Sequence, residues 1–256
     1  MITLRKQAHY FWFDMPPAKT REIRAKLQVT CQNCSLSELC IPRGLSQKDI
    51  ERIGNLVGQR KPLHKGDYLY RQGDKFRGIL ALKSGTAKLV VSDPGGNEYL
   101  AGYLLPGELL GFDALFDDCH HYSAVALEPL EFCEMPAEEL DTLCREVPTL
   151  LRELFRHAGK TLTTETDRFV LSQRTAEERV AGFLLDVSDR LSRRGFSGLE
   201  IRLGLSRQET GNYLGLALET VSRVLNNLED LGVVTVQAKH IRILDKDRLR
   251  ALASPS

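Results

Sequence analysis

The residues best suited to chemistry are three cysteines in the stretch CQNCSLSELC, near the start of the 256-residue chain. Cys31, Cys34 and Cys40 follow a C-x2-C-x5-C spacing, so their thiolates can converge within one short loop. Soft thiolate donors suit Zn2+ or an iron–sulfur cluster, and the spacing alone does not choose between the two. Since three donors leave a four-coordinate site one ligand short, the fourth must come from elsewhere in the chain.

Composition and length indicate a folded protein of about two domains. The chain is 42% hydrophobic and 27% charged, and no apolar run approaches the ~20 residues of a membrane span. The stretch around Pro16-Pro17 lacks the apolar segment that a secretory signal requires. We therefore expect a cytoplasmic protein without a membrane partner, in which six cysteines favour metal or redox roles over disulfides.

The elements around these cysteines can be predicted from periodicity. Ser46 opens a short amphipathic helix after the cysteine run. From His64 to Met135, short apolar stretches alternate with glycine-containing turns, a pattern that predicts a compact antiparallel β-barrel or jelly roll.

A long helix is predicted from Pro148 to Ser172. Its apolar residues follow the 4-3-4-3 rhythm of a two-stranded coiled coil, at Leu151, Phe155, Ala158, Leu162 and Phe169. We therefore expect a homodimer. Glu165 interrupts the rhythm and would face its own symmetry mate, where like charges weaken association. The alternatives are a charge at a wet rim and a helix that packs differently.

The C-terminal part predicts a winged helix-turn-helix. Ser206 and Glu209 have capping-box spacing at the start of one helix, and Gly215 separates it from a second helix that begins near Ala217. Two strands in VVTVQAKHIRIL complete the wing. Four leucines and valines should pack inward, at Leu214, Val221, Leu225 and Leu228.

The opposite face of the second helix carries Glu219, Ser222 and Arg223. Arginine suits a bidentate contact to guanine, and glutamate can accept a hydrogen bond from cytosine. The alternative is a surface ion pair on a helix with no special role. Three polar residues of the preceding helix are candidates for phosphate contacts: Arg207, Gln208 and Asn212. A basic excess in the last third of the chain agrees with double-stranded DNA as a partner.

The stretch GNYLGLALETVSRVLNNLEDLG closely resembles the DNA-binding signature of the FNR branch of the cyclic-AMP receptor/FNR superfamily. With the cysteine run, the glycine-punctuated roll and the long helix, the resemblance covers almost all of residues 31–250. It implies an α+β fold with four parts: an N-terminal arm (1–30), an iron–sulfur loop with a β-roll sensor domain (31–146), a dimerisation helix (147–172) and a winged helix-turn-helix domain (173–250).

The resemblance also implies ligands and function. It implies a [4Fe–4S] cluster held by Cys31, Cys34, Cys40 and one cysteine of the roll, for which Cys133 in LEPLEFCEMP matches the family position. Such a protein would be an oxygen- or redox-responsive regulator whose cluster promotes dimerisation. Its helix with Glu219, Ser222 and Arg223 would read a palindrome of the type TTGAT-N4-ATCAA. A related regulator with a structural zinc or another small effector is the alternative.

The remaining features point to other partners or to none. The stretch from Ser92 to Glu98 resembles the family loop that contacts RNA polymerase, although it is also a plain hairpin turn. In the cyclic-AMP branch an arginine holds the cyclic phosphate; here Tyr122 stands at that point, which disfavours a nucleotide. Cys119 beside His120 is a possible spare metal site, and haem would leave the cysteine run idle. No catalytic motif is present, so we expect no enzyme.

Overall fold

A computed structural model describes residues 31, 34–40, 44–59 and 61–254. The predicted arm, residues 1–30, lies outside them. The strands of the described chain are β1 Gly58–Gln59, β2 Tyr68–Tyr70, β3 Gly78–Ser84, β4 Ala87–Ser92, β5 Glu98–Leu104, β6 Leu109–Leu110, β7 Ser123–Ala126, β8 Glu131–Pro136, β9 Glu200–Arg202, β10 Val234–Gln237 and β11 His240–Ile243. The helices are α1 Gln47–Leu56, α2 Ala137–Glu146, α3 Pro148–Ser172, α4 Ala176–Ser192, α5 Arg207–Leu214, α6 Leu218–Asp230 and α7 Lys246–Ala253.

The predicted β-roll consists of two antiparallel four-stranded sheets. Their strand orders are β1-β8-β3-β6 and β2-β7-β4-β5. Apolar side chains from both sheets form one buried cluster, among them Leu82 of β3, Ala126 of β7 and Phe132 of β8. Burial of one face of each sheet against the other therefore stabilises the roll.

Helix α1 and strand β1 attach the cysteine loop to the roll. Ser46 caps α1 by accepting a hydrogen bond from the Asp49 amide, and Ile53 is fully buried against α2 and α3. Strand β1 then pairs with β8 in a register that places Gln59 opposite Cys133. The chain that follows the cysteine run is thus held beside the cysteine predicted as the fourth ligand.

Helix α3 spans the range predicted for the long helix. Its first turns are buried, with Leu150 and Leu154 in the cluster under α2. Farther along, Phe155 is 69% exposed, Leu162 71% and Phe169 68%. A row of exposed apolar side chains at this spacing is an unpaired packing surface.

Residues 176–254 form the C-terminal unit, which contains the predicted helix-turn-helix. The Ser206–Glu209 capping box is present at α5, and Gly215 has φ +65°, the left-handed conformation that ends α5 without steric cost. The four inward residues are all buried, as predicted. The wing has three strands in the order β10-β11-β9, one more than the pattern predicted.

The C-terminal unit packs directly on the roll. One continuous buried cluster includes Leu100 and Tyr103 of β5 together with Phe183 of α4. Tyr213 of α5 meets Phe183 edge to face, with the ring centres 5.6 Å apart. In the part of the chain that the structure describes, none of the helices combines the length and apolarity needed to cross a membrane.

Candidate functional site

The cysteine loop, residues 34–40, is a compact series of turns against the roll. The Cys40 amide donates to the Leu36 carbonyl oxygen over 3.0 Å, and the Leu39 amide donates to the same oxygen over 2.9 Å. Leu36 is buried, although it lies in a loop. Apolar packing therefore holds this loop on the protein surface.

Cys133 lies on β8 in electrostatic contact with the cysteine loop. Burial raises the pKa of the Cys31 thiol to about 11, and the neighbouring Cys133 and Cys34 raise this pKa further. Burial also raises the pKa of Cys133, again with a contribution from Cys34, while Lys83 acts in the opposite direction. Cys31, Cys34 and Cys133 are all partly buried and influence one another's pKa, which indicates that they lie in the same region of the protein.

The fourth candidate ligand, Cys40, also contacts the hydrophobic core. Its side chain packs against the apolar cluster that contains Ile53 and Leu143. Among the described residues, no three histidine, cysteine, aspartate or glutamate side chains are arranged as a set that could hold a metal ion. The donor types fit a thiolate-bound metal centre, and the thiols of Cys31, Cys34 and Cys133 influence one another electrostatically.

His120, Cys119 and Cys144 are engaged in packing or backbone contacts of the fold. His120 is buried, stacks on the Tyr70 ring at 3.7 Å between centres, and has its Nδ1 atom 3.3 Å from Asp113. Cys119 forms an isolated backbone bridge with Lys75. Cys144 packs against the cluster under α2. All six cysteines lie in the described part of the chain, and none forms a disulfide.

Tyr122 and Ser123 stand at the point of the sequence where the cyclic-AMP branch has its phosphate-binding arginine. Tyr122 is half-buried, and burial followed by the nearby Glu165 carboxylate raises its pKa. Ser123 accepts a hydrogen bond from the Gln72 amide through its hydroxyl, at 2.9 Å. Neither side chain offers the positive charge that an anionic phosphate requires.

The predicted reading face lies open on helix α6. Glu219 and Arg223 are exposed and Ser222 is half-exposed, and the three line a shallow concavity with Asn226. Val221 and Leu228 on the opposite side are fully buried. The amphipathic pattern therefore anchors α6 by one face and presents the predicted base-reading residues on the other.

The candidate phosphate contacts divide into two groups. Gln208 is exposed, and Arg207 is half-buried and donates to the Ala238 carbonyl oxygen in the wing over 3.0 Å. Asn212 is turned towards the roll, where its side chain accepts from the Leu100 amide over 2.8 Å and donates to the Glu98 carbonyl oxygen over 3.0 Å. In this arrangement both ends of the Asn212 side-chain amide link the two units, although the residue remains exposed.

Sequence analysis did not identify a buried ion-pair cluster between the roll and α4. Glu108 of the roll accepts hydrogen bonds from Arg190 over 2.6 Å and from Arg194 over 2.7 Å. The pKa of Glu108 is lowered because its two arginine partners outweigh the effect of burial, which alone would raise it. In the sequence, the cluster is visible only as two arginines four residues apart. Nothing near them indicates that their partner is Glu108, more than eighty residues earlier.

Two family models match the chain. The cyclic nucleotide-binding domain matches residues 60–147, and the Crp-like helix-turn-helix domain matches residues 178–252. A sensor-type roll joined by a long helix to a helix-turn-helix defines a DNA-binding transcriptional regulator.

Relatives and solved structures agree with this class. The transcriptional activator protein anr of Pseudomonas aeruginosa is 40% identical over 92% of this chain and 97% of its own. The anaerobic regulatory protein of Aggregatibacter actinomycetemcomitans is 40% identical over 84% of each chain. FixK2 from Bradyrhizobium japonicum superposes with a TM-score of 0.71 at 25% identity, over 78% of this chain and 98% of that chain. The chain belongs to the CRP/FNR family of transcriptional regulators, and the prediction of a regulator rather than an enzyme is confirmed.

Proposed function

We propose that the protein is an oxygen- or redox-responsive regulator whose Cys31, Cys34, Cys40 and Cys133 thiolates hold a [4Fe–4S] cluster. The observation that carries the proposal is the shared environment of Cys31 and Cys34 in the N-terminal loop and Cys133 on β8. The proposal is further supported by the donor type, because all four residues offer soft thiolates. Relatives named as anaerobic regulators support the same assignment.

Two features of the candidate ligands bear on metal binding: the protonation of their thiols and the attachment of the cysteine loop to the protein. The raised pKa of Cys31 and Cys133 means that their free thiols are protonated at neutral pH, so a metal must displace the protons when it binds. Leu36, which lies between the proposed ligands Cys34 and Cys40 in the sequence, is buried and fixes the cysteine loop on the protein. When bound, the cluster would supply an oxygen-labile link between the loop and the roll.

The same proposal includes a homodimer formed through α3. The exposed row of Phe155, Leu162 and Phe169 fits a coiled-coil seam, with Leu151 and Ala158 on the same stripe. Apolar side chains this exposed are stabilised when a second copy covers them. Glu165 lies within the row and makes the association weak enough to depend on the state of the metal site.

The proposed output is recognition of a palindrome of the type TTGAT-N4-ATCAA by two copies of α6. Support comes from the exposed Glu219, Ser222 and Arg223, which suit cytosine and guanine edges. The hairpin from Ser92 to Glu98 is exposed at its tip and would contact RNA polymerase during activation. A regulator of this kind acts on DNA in the cytoplasm.

A structural zinc held by the same thiolates is the second candidate, favoured by the donor type alone. Protein purified without oxygen distinguishes the two through its visible absorbance and its iron, sulfide and zinc contents. The proposal expects a brown protein with about four iron and four sulfide per chain that bleaches in air. A colourless protein with one zinc per chain and unchanged DNA affinity in air would contradict it.

A further inference from the structure

We propose that the cysteine loop is coupled to the DNA-binding unit within a single protomer, through the turn of the roll that carries Gly107 and Glu108. This route is separate from the dimerisation helix. The coupling itself depends only on packed side chains. The proposal rests on the proposed function in one respect, which is that the metal site provides the signal.

One side of this turn is in contact with the cysteine loop. A Cβ atom placed on Gly107 would lie 3.3 Å from Leu39 Cβ and 3.8 Å from Leu36 Cβ, so the space between the turn and the loop is too small for a side chain without displacement of Leu39. Gly107 has φ +84°, and its amide donates to the Leu82 carbonyl oxygen over 2.7 Å. The turn therefore has little room to adjust when the loop moves.

The other side of the turn is bonded to α4 of the C-terminal unit. Glu108 Oε2 lies 2.6 Å from Arg190 Nη2, and Glu108 Oε1 lies 2.7 Å from Arg194 Nη2. The Arg194 side chain is 5% exposed and that of Arg190 11%. Arg190 and Arg194 also donate to the carbonyl oxygens of Tyr103 and Pro106 in the same part of the roll. A shift of this turn must therefore move both arginines or break their bonds to the roll.

A second anchor determines which way the C-terminal unit moves. Lys88 of β4 is 2.7 Å from Glu209 in the first turn of α5, and the Asn212 side chain is hydrogen-bonded to the backbone of β5. With α5 held at one point and the end of α4 at another, displacement of the Glu108 turn would tilt the unit rather than release it. Helix α6, which follows α5, would change its orientation relative to the roll.

The test uses the full-length protein, kept reduced and free of metal, and hydrogen exchange of the backbone amides of residues 186–194. Leu36→Ala loosens the loop without touching α4. We expect it to accelerate exchange in 186–194 by at least about twofold, the lower end of the coupling between contacting groups. In a Glu108→Gln background, where the ion pairs are already lost, adding Leu36→Ala should change exchange in this segment little.

Asp186→Asn is the matched control. Asp186 pairs with the same Arg190, at 3.0 Å, but both residues lie on α4. This variant should therefore preserve the response to Leu36→Ala. Leu36→Val provides a milder perturbation if the alanine variant does not fold.

Exchange in 186–194 that stays at the wild-type rate when the loop itself becomes less protected would overturn the coupling. An equal response in the wild-type and Glu108→Gln backgrounds would do the same. Because no metal is present, these outcomes are independent of whether the protein carries a cluster. Conversely, a zinc-containing or colourless preparation would overturn the proposed function and leave the exchange result intact.

Discussion

The Glu165 carboxylate is paired within its own helix, with Oε2 3.0 Å from Nη2 of Arg168. Arg168 also donates a hydrogen bond to the Ala101 carbonyl oxygen on β5. Its guanidinium carbon lies over the Tyr213 ring, 5.0 Å from the ring centre. The charge that interrupts the dimerisation stripe is therefore held by a side chain that also contacts the roll and α5, and is partly neutralised before a second copy arrives.

Replacement of Glu165 by leucine should strengthen the dimer. The variant completes the apolar row and removes a carboxylate that would face its symmetry mate. Complete burial of a leucine contributes about 2 kcal/mol, or about 4 kcal/mol for the two chains of a dimer, so we expect the dimer dissociation constant to fall by roughly ten- to a thousandfold. Sedimentation equilibrium of metal-free protein measures this.

Asp167→Leu is the control for that experiment, because Asp167 is exposed on the same helix but lies off the stripe. A dimer constant that responds equally to both substitutions would show that general hydrophobicity, rather than position 165, controls association.

Loss of a single thiol should separate Cys133 from the other roll cysteines. Cys133→Ser replaces a soft donor with a hard one in the environment shared with Cys31 and Cys34. Iron and sulfide contents of the anaerobic protein should fall towards background, and air should no longer change its DNA affinity. Cys119→Ser is the matched control and should retain both. Normal loading of the Cys133→Ser protein would remove Cys133 from the ligand set.

Substitutions on α6 should affect specificity and affinity in different ways. Arg223→Ala should cost about 1–3 kcal/mol on the palindrome and relax the preference at one base pair of each half-site. Gln208→Ala should weaken binding to all sequences by a similar factor and reduce the salt dependence only slightly. Fluorescence anisotropy with half-site variants at two salt concentrations measures both effects. An Arg223→Ala protein with unchanged base preference would contradict the reading role.

The Lys88–Glu209 pair predicts a pH-dependent contribution to stability. Burial raises the pKa of Glu209, but hydrogen bonds from Lys88 and Ser206 outweigh it and bring the pKa from 4.5 down to about 2. A carboxyl with a lower pKa in the folded state stabilises the fold above its unfolded pKa, and this stability is lost as the pH falls through the folded pKa.

Glu209→Gln keeps the capping-box hydrogen bond and removes only the charge. After allowance for partial exposure, it should lower the free energy of unfolding by about 1–2 kcal/mol at neutral pH. The difference from the wild type should shrink from about pH 4.5 towards pH 2, as the wild-type carboxyl becomes protonated. Urea unfolding over this range measures it, and Asp230→Asn at an exposed position is the control. A difference independent of pH would contradict the ion-pair explanation.

The local features of the fold could be predicted because their signals lie within a few residues of one another. The capping-box residues Ser206 and Glu209 predict the start of α5, and Gly215 predicts its end. Alternating burial around Val221 distinguishes the two faces of α6. Glycine-separated apolar stretches likewise indicate the strands of the roll.

The long-range relationships could not be predicted in this way. Nothing near Glu108 in the sequence indicates that Arg190 and Arg194 neutralise it, because the packing of two separate units selects these partners. Asn212 has the chemistry of a phosphate contact, and only the position of β5 shows that its amide is already engaged. The choice of Cys133 as the fourth candidate ligand came from a family resemblance. Sequence spacing does not indicate which of Cys119, Cys133 and Cys144 lies near the N-terminal cysteines.

The pairing of β1 with β8 bears on what happens after the metal is lost. Gly58 and Gln59 pair with Glu134 and Cys133 through their backbones, so this pairing requires no thiol side chain. The cysteine loop therefore remains tethered close to Cys133, with an effective concentration there in roughly the millimolar range. Under the proposed function, the candidate thiols would therefore stay close to one another after cluster loss, and a new cluster could assemble on the folded protein.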